Sequence, residues 1–220
     1  MKKFALVCGI LVSVVVSISV GVWAMSSNEL DRARDNCLNN EDKSACEALI
    51  NNGLHSVEQC DKDTCRTAGA AYYNAERYTE AIPYYEKAIA LEDNKGYVGL
   101  GAAYYYGLQD YPNAKKYFEM GCNKGNGDYA QAESCYNLGL MYYNGNGVHK
   151  DYAKVAELWK KACDMQEATA CNNLGALYYD GKGVSQDIAK AVELFKKACD
   201  MQEANACFNL MLYLYGQGVK

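Results

Sequence analysis

Residues 160–171 read KKACDMQEATAC, and 36 positions later residues 196–207 read KKACDMQEANAC. Eleven of the twelve positions are identical, so the chain is built from a repeated unit that sets a cysteine on each side of a short polar turn. Outward from that turn, the pattern Leu-Gly-x-x-Tyr-Tyr aligns Gly69, Gly101, Gly139 and Gly175 in one column, with Met211 in that place in a fifth unit. Three residues on stand Tyr72, Tyr104, Tyr142 and Tyr178. One further on stand Tyr73, Tyr105, Tyr143, Tyr179 and Tyr215.

The second half of each unit has its own columns. Tyr78, Tyr111, Tyr152 and Ile188 open it, followed at +3 by Ala81, Ala114, Val155 and Ala191. Tyr85, Phe118, Trp159 and Phe195 stand at +7, and Ala88, Gly121, Ala162 and Ala198 at +10. Offsets of 3, 7 and 10 form one stripe of an α-helix. Small residues in that stripe admit a neighbouring helix, and the aromatic fills the space beside them. Each unit is therefore two helices, A and B. The loops NGNGV (144–148), DGKGV (180–184) and GQGV (216–219) supply the glycine that ends helix A. The first two units turn more tightly, through NAER and YGLQD.

Such hairpins bury their apolar faces only by stacking. The expected fold is all-α: a right-handed α/α solenoid of stacked helix hairpins, stapled by disulfides. A coiled coil would need unbroken heptads without glycine loops. Units are expected to start near residues 65, 97, 135, 171 and 207, within a solenoid spanning 67–220. The last unit is incomplete, and its helix A is expected to cap the stack. Residues 25–66 read as a degenerate, cysteine-containing N-terminal repeat.

Gly69-x-x-Tyr72, Ala81, Tyr85 and Ala88 have the spacing of the tetratricopeptide repeat. The 36-residue units from 135 onward, with paired-glycine loops and KKAC, look like the Sel-one-like repeat. With cysteines flanking the inter-repeat turn, the chain resembles the Helicobacter cysteine-rich protein family over about residues 30–220.

Residues 1–24, MKKFALVCGILVSVVVSISVGVWA, have two lysines, an apolar run and small residues at Val22 and Ala24. That is the layout of a secretory signal peptide, with an uncleaved membrane anchor as the rival reading. Either places the rest of the chain in the periplasm or outside the cell. Apart from Cys8 in that segment, ten of the eleven cysteines remain, an even number in an oxidising compartment.

Helix B ends at Cys163 and the next helix A begins near Cys171, so the two helix ends face one another across the turn. Their Cα atoms can then reach disulfide distance. The same register pairs Cys199 with Cys207 and Cys122 with Cys135. Cys37 with Cys46 and Cys60 with Cys65 complete five neighbour pairs. At the one B-to-A turn without a staple, Ile89 and Tyr97 replace both cysteines together. Zinc is the rival, but this spacing along a stack does not bring four ligands to one point. Closing a nine-residue loop restricts the unfolded chain by about 2.5 kcal/mol.

The chain carries 22 basic and 27 acidic residues, a net charge of −5, and without Lys2 and Lys3 the remainder carries −7. No basic cluster marks a nucleic-acid surface. A membrane is expected to be touched only through the N-terminal segment, if uncleaved. The resemblance implies an enzymatic alternative, since members of the cysteine-rich family are described as penicillin-binding proteins and candidate β-lactamases. The serine β-lactamase signatures Ser-x-x-Lys, Ser-Asp-Asn and Lys-Thr-Gly are absent from the sequence. His55 and His149 are the only histidines and lie far apart. Catalytic residues stay unassigned, and no metal or cofactor is expected.

Two columns of helix A suit recognition. Asn137, Asn173 and Asn209 stand two residues before the glycine position, where Thr67 and Gly99 occupy the earlier units. An asparagine amide can pair with both the C=O and the N–H of an extended peptide, and the resemblance implies such a use at this position. The second column is Tyr73, Tyr105, Tyr143, Tyr179 and Tyr215, with the last three in the units that carry the asparagines and Asn144 and Asp180 at the rim. Packing alone is the competing account of the tyrosines, and bonding to a neighbouring helix that of the asparagines. The expected function is an exported scaffold binding a peptide or protein partner on its concave face. Under the resemblance, a β-lactam or a peptidoglycan-derived peptide is the alternative ligand.

Overall fold

A computed structural model describes residues 26–53, 56–124 and 127–216. The leader at 1–24, His55 and residues 217–219 of the final loop lie outside them. Every regular element among the described residues is helical: α1 (Ser27–Asn40), α2 (Lys43–Gly53), α3 (Lys62–Asn74), α4 (Tyr78–Ala90), α5 (Lys95–Ala102), α6 (Tyr111–Lys124), α7 (Tyr129–Asn144), α8 (Tyr152–Asp164), α9 (Ala168–Asp180), α10 (Ile188–Asp200) and α11 (Ala204–Gly216). None is long and apolar enough to cross a membrane. Each helix packs on the next, giving antiparallel hairpins stacked into the right-handed solenoid.

The stack closes around the glycine column. A Cβ added to Gly69, Gly101, Gly139 or Gly175 would come within 2.5–2.8 Å of the ring of Tyr85, Phe118, Trp159 or Phe195 respectively. Helix A therefore carries glycine so that the aromatic of its own helix B can lie flat against its backbone. The small residues at +3 and +10, Ala81, Ala88, Ala114, Val155, Ala162, Ala191 and Ala198, are fully buried. One core runs through the C-terminal units, from Tyr105 on the second hairpin to Ala206 on α11.

The loop glycines have two different tasks. Gly145 and Gly181 adopt left-handed φ of 78° and 70° and end α7 and α9, as expected from a C-cap. Gly147 and Gly183 also have left-handed φ, but a Cβ on either would strike the preceding helix B, at Tyr111 (2.4 Å) and Tyr152 (2.2 Å). Capping alone therefore does not account for the pair. The second glycine is where one repeat seats on the last. In the second unit helix B starts ten positions after the column glycine (Gly101 to Tyr111), one more than in the first (Gly69 to Tyr78), and Ala103–Gly107 form a π-helical turn.

All five expected cysteine pairs are bonded, with Cα–Cα separations of 4.7 Å (Cys37–Cys46), 5.1 Å (Cys60–Cys65), 4.6 Å (Cys122–Cys135), 4.7 Å (Cys163–Cys171) and 4.6 Å (Cys199–Cys207). Five staples mark a protein of an oxidising compartment. The turn inside each KKAC repeat is held by its backbone as well: Gln166 N–H donates to Cys163 O (3.0 Å) and Glu167 N–H to Ala162 O (3.0 Å), closing α8. Gln166 and Gln202 hold φ of 67°, a conformation glycine would adopt with less strain. The lysines of the motif reach one repeat back. Lys161 Nζ donates to Cys122 O (2.7 Å) and Lys197 Nζ to Cys163 O (2.9 Å), neutralising the carbonyl end of the preceding helix B.

The outer face of α11 is apolar, with Phe208, Met211, Leu212 and Leu214 exposed.

Candidate functional site

The A helices α7, α9 and α11 place the asparagine column at equivalent points along the stack, and every asparagine in it touches the preceding A-helix segment. Tyr106 Oη donates to Asn137 Oδ1 (3.2 Å), while Asn137 Nδ2 donates to Glu133 O within α7 (3.0 Å). Asn173 Nδ2 donates to Tyr136 Oη (3.4 Å), and Asn209 Nδ2 donates to Asn172 Oδ1 (2.9 Å). The row is thus cross-linked along the stack through Tyr106, Tyr136 and Asn172. Sequence reading passed over these three. Their one signal is position, since Tyr136 and Asn172 directly precede the column. Each amide keeps unused hydrogen-bonding capacity, because an amide offers two donors and two acceptor sites.

The tyrosine column divides. Tyr73 packs edge-on against Tyr78 with centroids 5.3 Å apart, and Tyr105 is buried against Tyr111 and Phe118. Tyr143 is half-buried, stacked on Trp159 (5.5 Å) and edge-on to Tyr152 (5.5 Å). Tyr179 and Tyr215 stand free at 47% and 79% exposure. At the rim, Asn144 Nδ2 donates to Tyr105 Oη (3.4 Å), and Asp180 pairs with Lys182 at 3.1 Å. That pair is exposed on both sides, so it holds neither residue firmly.

Two clefts gather most of the column residues. One of about 220 Å³ between α7 and α9 brings together Tyr143, Asn144, Asn173 and Asp180 over the Trp159 ring. The next, of about 390 Å³ between α9 and α11, brings together Tyr179, Asp180 and Asn209 with Leu212 and Tyr213. Asn137 lies in a third cleft, toward the N-terminus. Tyr215 lines neither of the first two. Among the described residues no group of three or more His, Cys, Asp or Glu side chains could hold a metal ion.

Comparison with known proteins follows the repeat boundaries. The Sel1 repeat family matches residues 95–126, 132–166, 168–203 and 204–220, together more than half of the chain, and the Tetratricopeptide repeat family matches 62–95. Among curated proteins, the chain is 46% identical over 66 residues to a Helicobacter pylori (strain J99) protein named "Putative beta-lactamase HcpC", a match covering 30% of this chain and 21% of that one. The chain thus spans about a fifth of the length of the curated relatives it matches. A solved Sel1 repeat protein from Oxalobacter formigenes superposes over 86% of this chain and 77% of its own, with a TM-score of 0.64 at 21% identity, which shows a common fold. Helicobacter pylori cysteine rich protein B, at 32% identity and a TM-score of 0.49, covers 61% of this chain and 95% of its own.

Proposed function

This chain belongs to the Sel1 repeat family, and from that premise we propose that it is an exported scaffold that binds an extended peptide or protein segment along its A-helix face. The fold is one that generally mediates protein–protein contact. One observation carries the finer reading. The cleft between α7 and α9 sets Tyr143 and Asn144 beside Asn173, and the cleft between α9 and α11 sets Tyr179 and Asp180 beside Asn209, the same association one unit further on. An extended chain laid across them meets an amide at each step, which fixes its backbone, and a tyrosine face, which gives contact area at low entropy cost.

The test is selection of binders from a displayed random-peptide library on the oxidised protein, followed by fluorescence anisotropy of the selected peptides. Asn173→Ala with Tyr179→Ala is expected to weaken them at least about tenfold while the thermal transition stays in place. Peptides that bind the double variant equally well, or a double variant that unfolds, would sink the reading.

The β-lactam alternative draws on the name of the Helicobacter pylori relative, which aligns with 30% of this chain. A chromogenic cephalosporin assay at catalytic and stoichiometric protein separates the two. A flat trace is expected, and sustained turnover that follows the protein through purification would reverse the preference.

A further inference from the structure

The third cleft differs in chemistry from the other two. Gly99 stands in the second unit where later units carry asparagine, and a Cβ there would come within 2.3 Å of the Tyr85 ring. Tyr85 therefore rises against α5 to form a floor, and above it a cavity of about 420 Å³ opens between α3, α5 and α7. Its walls include Tyr73, Tyr106, Tyr129 and Tyr136, together with Glu133 and Glu167, whose Oε1 also accepts from the Thr169 N–H at the start of α9 (3.3 Å). Tyr106 and Tyr129 are more than half exposed, so their rings are open to a ligand. Among the described residues no lysine or arginine lines the cavity. Among the described residues neither glutamate takes part in an ion pair.

We infer that this cleft receives a cationic side chain, the lysine or arginine of an extended peptide lying on the A-helix face. Tyrosine rings attract an ammonium or guanidinium through their negative faces, and the two carboxylates supply the counter-charge. A divalent metal fits less well, because two carboxylates fall short of the oxygen shell that calcium or magnesium takes. Burial, and secondarily Glu167, raises the Glu133 carboxyl above its ordinary range, and a cation seated in the cleft would favour its charged form. The Tyr106 hydroxyl that borders the cleft also bonds Asn137, which joins the cleft to the asparagine row. The inference rests on the peptide-binding reading above and names the chemistry of the partner.

The experiment is a proton–nitrogen correlation NMR titration of the oxidised protein with three probes: Nα-acetyl-lysine methylamide, Nα-acetyl-arginine methylamide and the neutral Nα-acetyl-norleucine methylamide. The cationic probes are expected to shift amides of residues 98–106 and 129–137, with norleucine at least about tenfold weaker. Glu133→Gln with Glu167→Gln is expected to abolish the shifts while the rest of the spectrum is preserved. Absence of shifts, equal response to norleucine, or shifts unchanged in the glutamine variant would overturn the inference. So would saturable shifts at the same amides with calcium chloride in place of the probes. The two readings fail separately. Library-selected peptides that ignore the glutamine variant but are lost with Asn173→Ala and Tyr179→Ala would remove only the cation cleft. Cation probes that bind while no peptide does would remove the groove reading.

Discussion

Lys197 Nζ donates to the Cys163 carbonyl at 2.9 Å, so the lysine of one KKAC motif closes the helix that ends in the cysteine of the motif before it. Lys161 does the same for Cys122. The motif thus serves two joints at once: its cysteine staples forward to the next helix A, and its second lysine reaches backward to the previous helix B. Replacing Lys197 or Lys161 with methionine keeps the apolar stem and removes the charge-assisted bond. Each change is expected to cost about 1 kcal/mol, read as a loss of about 2–4 °C in thermal midpoint. Lys196→Met, one position away on an exposed site, serves as the comparison and should leave the midpoint in place.

The staples act on the unfolded chain. Cys163→Ala with Cys171→Ala opens a loop of nine residues and is expected to cost about 2.5 kcal/mol. Urea denaturation checks it, and a reducing agent should erase the difference between wild type and variant for that pair. Cys122 and Cys135 close a longer loop, so their removal should cost slightly more.

Gly139→Ala sets helix propensity against packing. Alanine favours helix over glycine by about 1 kcal/mol, yet its Cβ would sit 2.5 Å from Trp159 Nε1. That nitrogen donates to Tyr136 O at 3.2 Å, so displacing the indole also disturbs a hydrogen bond. A net loss of about 1–3 kcal/mol is expected. A gain, measured by denaturation, would show that the ring is free to move.

Glu133 gives a pH dependence of definite sign. Burial holds its carboxyl above the ordinary glutamate range in the fold, so the folded protein binds that proton more tightly than the unfolded chain does. Its contribution to stability is full below the unfolded value of about 4.3 and is lost as pH rises through the raised folded value. Glu133→Gln should therefore be more stable than wild type at neutral pH, with the gap closing in acid. Denaturation curves at the two pH values decide it.

Within-repeat features were readable in the sequence because their causes lie close along the chain. The 3, 7 and 10 offsets follow from the geometry of one helix, and each staple joins two cysteines across one turn. Gly139 and Trp159 meet inside one hairpin, so their columns could be read together. The fate of the asparagines was less legible. Asn173 finds Tyr136, and Asn209 finds Asn172, each 37 residues back. Both partners stand outside the columns that periodicity picks out. Tyr143 and Tyr179 occupy the same register yet differ: the larger Trp159 ring reaches from Gly139 to stack on the first, whereas Phe195 packs on Gly175 and the second stays exposed.

What the sequence determined by itself was the unit: two helices, their glycine stops, the aromatic that fills each hairpin and the cysteines that join one hairpin to the next. Those are set by backbone hydrogen bonding and by contacts within about forty residues of chain. Only the tertiary structure decided which polar groups are spent between repeats and which face outward. It also assembled the tyrosine and glutamate cleft, whose walls come from three successive units and whose floor exists because Gly99 lacks a side chain. A cavity of that kind belongs to the stacking of units, and stacking depends on close approaches that a single repeat does not contain.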